Sequence, residues 1–150
     1  MNSSSGAKRT LAVVCLIFFS LGLVTASIGP MLNEFSLHTG SSLASVGAVF
    51  TAFFLGALLM QLVNGFFSER SNLIPLLAAG ALLAAIGMTG MTLSHLLPLF
   101  LISAFTNGLG HGAINLAGNL SIARLFKENR VSAVNFVNIF YSLGAFIGPP

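Results

Sequence analysis

Four polar side chains recur at every fourth residue in the stretch NGLGHGAINLAGNLS, residues 107–121: Asn107, His111, Asn115 and Asn119. Four residues advance an α-helix by about 400°, so each member drifts only ~40° from the last and the set winds slowly along one side. Amides both donate and accept hydrogen bonds, which suits a polyhydroxylated ligand such as a sugar. His111 brings a titratable ring and with it the chemistry of a proton relay, although a hydrogen-bonded neutral imidazole is the simpler use of the same group. Bond-making chemistry has no support. The carboxylates are Glu34, Glu69 and Glu128 alone, and no nucleophile–base pair, phosphate loop or dinucleotide fingerprint accompanies them. His38, His95 and His111 are too scattered along the chain for a metal-ligand spacing. Cys15 is the single cysteine, which leaves neither a zinc framework nor a disulfide. The residues point away from an enzyme, and imply no metal and no cofactor.

The elements that position this stripe must lie in lipid. The chain of 150 residues is 55% hydrophobic and 6% charged, with 14 Phe and no Trp. A soluble domain carries roughly 25% charged residues, so this chain lacks the surface to stay in water. Residues 1–10, MNSSSGAKRT, form a polar and basic leader. Five apolar runs follow at 11–32, 43–67, 73–93, 98–126 and 131–149, each near the ~20 residues that cross a ~30 Å hydrocarbon core. The first is too long for a cleavable signal. With no water to satisfy backbone groups, such runs must be helices. The expected fold is all-α, a polytopic transmembrane bundle of five spans over residues 11–150.

Lys8 and Arg9 precede the first span, Arg70 lies between the second and third, and Arg124, Lys127 and Arg130 flank the link from the fourth to the fifth. The loops NEFSLHTGSS and SHLLP hold no lysine or arginine. This asymmetry predicts a cytoplasmic amino terminus and a multi-pass protein of the cell membrane. The net charge of +3 comes from residues beside the spans and not from a patch, so no nucleic acid is expected and the lipid bilayer is the partner. The ending LGAFIGPP is still apolar, which reads as a truncation.

Other spans add polar groups: Gln61 and Asn64 in the second, Asn135, Asn138, Tyr141 and Ser142 in the fifth, and Ser20, Thr25 and Ser27 in the first. Polar side chains at membrane depth face another helix or a water-filled cavity. The stripe taken with the polar face of the fifth span favours a cavity; hydrogen bonding between helices is the competing use. Candidate lining residues are Asn107, His111, Asn115, Asn119, Asn138, Tyr141 and Gln61. Small residues at four-residue spacing, Ala48, Ala52 and Gly56, then Gly108 and Gly112, then Gly144 and Gly148, are the pattern by which membrane helices approach closely.

Three motifs carry a resemblance. GFFSERSN between the second and third spans resembles the loop signature of the major facilitator superfamily, with Gly65, Glu69 and Arg70 in matching places. Glu69 replaces the usual aspartate, Asn72 the later glycine, and Leu73 and Ile74 the following basic pair. GLGHGAINLAGNLSIARLF is the second motif. NFVNIFYSLGAFIGPP is the third, and its Gly144, Gly148 and Pro149 match the family's glycine–proline ending. With LGLVTASIGPML of the first span, these look most like the fucose permease-like and sodium-dependent glucose transporter-like branch.

The resemblance implies the amino-terminal half of a transporter, cut before its sixth helix. It also implies alternating access around a midplane site for a small polar solute such as a sugar. The missing carboxy-terminal half, in the same or another chain, would supply the other wall. Asn119 matches an asparagine of that branch, Asn115 stands where an acidic residue is common, and Asn138 where a histidine is. Both departures remove ionisable groups. Sugar-type recognition by amides remains, whereas proton or sodium coupling at those positions loses its titratable partner. The Glu69–Arg70 loop either pairs with neighbouring helix ends and holds one conformation of the bundle, or is a solvated turn that obeys the charge rule. The alternative is a small multi-pass protein without transport activity, a helix-packing partner or non-functional fragment.

Overall fold

The computed structural model describes residues 3–67 and 73–148. In chain order these form α1 (Ser3–Ser27), α2 (Leu32–Thr39), α3 (Leu43–Val46), α4 (Ala48–Phe67), α5 (Leu73–Leu93), α6 (Leu97–Leu125) and α7 (Arg130–Ile147), with a 3-10 turn at Lys127–Asn129. Among the described residues there is no strand. Among the described residues five stretches are long and apolar enough to cross a membrane: Gly6–Ser27, Leu43–Gly65, Leu73–Leu93, Leu97–Leu125 and Lys127–Ile147. The protein is a multi-pass helical membrane protein, as the apolar runs require.

The boundaries shift where local chemistry intervenes. Helix α1 begins inside the expected leader, because nothing in SSSGAKRT stops a helix and Lys8 and Arg9 remain exposed. It ends at Ser27, short of the expected Leu32, because Pro30 drives the residue before it out of the helical region. The loop NEFSLHTGSS is mostly the short helix α2. Gly40 closes it in the left-handed region at φ 60°, a conformation glycine adopts without a Cβ penalty. Ser42 then caps α3, its side chain accepting the Ser45 N–H at 3.2 Å.

The chain divides into two compact units. One, Met31–Ala117, holds α2 to α5 and α6 as far as Ala117. Here α4 and α6 run parallel: Gly108 sits on the Phe53 carbonyl, Gly112 on that of Ala57, and Gly56 on that of Phe105. A Cβ at any of the three would come closer than real Cβ atoms do. The backbones therefore touch directly, where packing and weak Cα–H···O contacts accrue. Helix α5 runs antiparallel to α6, with Gly90 beside Ser103, Gly87 beside Asn107 and Gly80 beside Gly110 and Ala113. Phe53, Val46, Val49, Phe100, Ala104 and Ala113 are fully buried, and Phe35 of α2 meets the Phe100 ring at 4.9 Å.

The other unit, Met1–Pro30 with Gly118–Pro150, holds α1, the end of α6 and α7. Helices α1 and α7 are parallel: Gly144 lies on the Phe19 carbonyl, Gly148 on Leu23, and Gly22 on the Tyr141 carbonyl. Ser27 donates to the Gly148 carbonyl at 3.3 Å. Gly118 makes room for the Phe18 ring. Within each unit these directions are the ones successive membrane crossings produce, alternate spans parallel and neighbours in sequence antiparallel.

Candidate functional site

Helix α6 carries the stripe. It is the longest helix among the described residues, and its 29 residues contain no charged side chain before Arg124. Cys15 is buried and free, a small packer in α1. Along α6 the four stripe residues separate into two pairs. Asn107 and His111 are the buried polar side chains among the described residues, 5% and 8% exposed. Asn115 and Asn119 are half-buried.

The neighbours of the buried pair explain the difference. Gly87 of α5 brings its backbone against the amide nitrogen, Cα and Cβ of Asn107, so that residue looks into α5. One turn on, the His111 ring meets Phe53 of α4 edge-on, centroids 5.1 Å apart and planes 67° apart. The drift of ~40° per step thus carries the line from one neighbouring helix to the next. Asn107 and His111 are built into the packing of their unit, and the more open part of the stripe is Asn115 and Asn119.

The remaining polar candidates use their hydrogen-bonding capacity locally. Asn138 donates its amide to the Val134 carbonyl at 3.0 Å, and Asn64 to Met60 at 2.9 Å. Ser20, Thr25 and Ser27 donate to Leu16, Leu21 and Leu23 one turn back, and Ser142 to Asn138. Such back-bonding satisfies a hydroxyl or amide hydrogen without any neighbour helix. Asn138 lies on the α7 face where it, Asn135 and Ser142 line an open groove with Ile139 and Leu143, whereas the half-buried Tyr141 lies on the side of α7 that packs on Gly22 of α1. Gln61 is exposed on α4.

Of the loop motif, Gly65 is exposed at the end of α4 with nothing within 4 Å of a Cβ built there. Glu69, Arg70 and also Pro149 lie outside the described residues. The spacing of small residues singled out Gly56, Gly108, Gly112, Gly144 and Gly148. It passed over Gly22, Gly80, Gly87 and Gly110, which make equally close approaches. Gly80 and Gly87 stand seven apart, two helical turns, and that interval was the legible signal. The histidines that looked too scattered for a site are another departure: the fold brings His38 and His95 into ring contact, centroids 4.4 Å apart.

Comparison with known proteins places this arrangement. The Major Facilitator Superfamily is matched over residues 14–150. The chain is 27% identical over 136 residues to "Major facilitator superfamily domain-containing protein 4A" of Danio rerio, covering 89% of this chain and 26% of that protein. It is 22% identical to "Sodium-dependent glucose transporter 1" of Homo sapiens, covering 91% and 26%. To "Putative transporter AraJ" of Escherichia coli (strain K12) it is 26% identical, covering 84% and 32%. The chain thus spans about a quarter to a third of the length of these relatives. No solved structure matches it.

Proposed function

The chain belongs to the major facilitator superfamily, and from that premise we propose that it forms part of the amino-terminal half of a secondary transporter for a small polar solute, with sugars the leading class. It works by alternating access, in the cell membrane with its amino terminus in the cytoplasm, and not as an enzyme. The observation that carries this is the half-buried pair Asn115 and Asn119 on α6. Polar groups at membrane depth are costly facing lipid and are retained where they meet a cavity or another helix. Two amides one turn apart present several donors and acceptors to a hydroxylated ligand. A relative whose name includes a glucose transporter supports the sugar class.

Asn107 and His111 hold α6 in place from inside the packing of their own unit, and Asn138 and Tyr141 are the further polar candidates on α7. The second half of the bundle supplies the facing wall, so vesicles carrying this chain alone take up no more D-glucose than empty vesicles.

The test pairs affinity with stability. Labelled D-glucose and L-fucose are titrated against the chain in lipid nanodiscs, native and with Asn115→Leu or Asn119→Leu. Loss of sugar affinity with an unchanged melting curve supports a binding wall. A lowered melting temperature with unchanged affinity assigns both amides to helix packing and overturns the proposal. If the native chain binds neither sugar, Asn115 and Asn119 do not by themselves make a sugar-binding wall.

A further inference from the structure

His38 lies near the end of α2 and His95 in the short connection between α5 and α6, 57 positions apart in sequence by the difference of their numbers. Both belong to the unit Met31–Ala117. Their rings are 4.4 Å apart between centroids and tilted by 42°, which is neither a flat stack nor a perpendicular edge contact. The Nε2 atom of His38 is buried and has no hydrogen-bond partner among the described residues. Burying an imidazole nitrogen without a partner is destabilising, and a bound ion is one of the standard explanations for such an atom. His95 is exposed, so the pair opens to solvent on one side.

The surroundings suit a cation. Residues 31–47 and 93–98 contain no lysine or arginine, and Glu34 is the carboxylate among them. Glu34 stands one helical turn before His38 on α2. It does not join the two imidazoles in a three-donor group among the described residues. Imidazole nitrogens select late first-row metals over calcium or magnesium. Two imidazoles bound to one tetrahedral metal at about 2.0–2.1 Å place their ring centres roughly 5 Å apart, so the rings would open by less than about 1 Å from the 4.4 Å seen here.

We infer that His38 and His95 form a two-imidazole site for a divalent transition metal, zinc first, which ties α2 to the α5–α6 connection. Water completes the coordination on the exposed side. The site is separate from the amide stripe and does not depend on what the protein carries.

The experiment is a titration of zinc chloride into the full chain in nanodiscs, purified without a polyhistidine tag and followed by calorimetry. One zinc per chain is expected, with binding weakened at least about tenfold by His95→Ala or His38→Ala and abolished in the double variant. His95→Ala alters an exposed side chain, so its helical circular dichroism serves as the control for folding. Absence of zinc binding by the native chain, or unchanged binding by the double variant, overturns the site.

Discussion

The imidazole of His111 stands edge-on to the phenyl ring of Phe53, centroids 5.1 Å apart, with Gly108 and Gly112 on either side of it holding the α4 backbone against α6. A side chain larger than hydrogen at either glycine would push α4 away and break that ring contact. The polar residue therefore owes its position to two residues that carry no side chain.

Phe53 is 1% exposed, and removing its ring leaves a hole beside His111. Phe53→Ala is expected to cost about 3 kcal/mol, the range for large-to-small changes in a packed interior. Phe53→Leu keeps most of the volume and should cost about 1 kcal/mol. Thermal unfolding in nanodiscs, followed by circular dichroism, reads the difference. Equal melting temperatures for the two variants would mean that this ring is not a packing centre.

Gly108 and Gly144 are expected to reject any side chain, since a Cβ there meets the carbonyl of Phe53 or Phe19. Gly108→Val or Gly144→Val should destabilise by about 2 kcal/mol or more, the scale of overpacking. Gly65→Ala, with open space around the added carbon, should stay within about 0.5 kcal/mol of the native chain. The same unfolding measurement checks all three. A tolerated Gly108→Val would show that α4 and α6 do not approach as closely as described.

Orientation is checked with an impermeant maleimide on whole cells, in a Cys15→Ala background. Glu34 and Glu128 are both exposed, and they lie on opposite sides of the predicted topology. Glu34→Cys should label without permeabilising the membrane, and Glu128→Cys only after it. The reverse pattern would place the amino terminus outside and break the rule that lysine and arginine remain on the cytoplasmic side.

The sequence by itself determined that this is a membrane protein, that its spans are helices, how many there are, and which family it resembles. These follow from local composition: an apolar run long enough to cross the hydrocarbon must satisfy its own backbone, and helix is the way a single segment does so. Periodicity also located the line Asn107, His111, Asn115 and Asn119. It could not say what each member touches, because that depends on helices up to 58 residues away by number, as with Phe53 and His111. Only the tertiary structure decided that Asn107 and His111 are buried while Asn115 and Asn119 stay half-open. Back-bonding of Asn138 and of the α1 hydroxyls was likewise illegible, since a rotamer choice leaves no mark on residue order. The meeting of His38 with His95 was hidden most completely. Their separation along the chain suggested no site, and it took the return of the chain through two spans to bring the rings together.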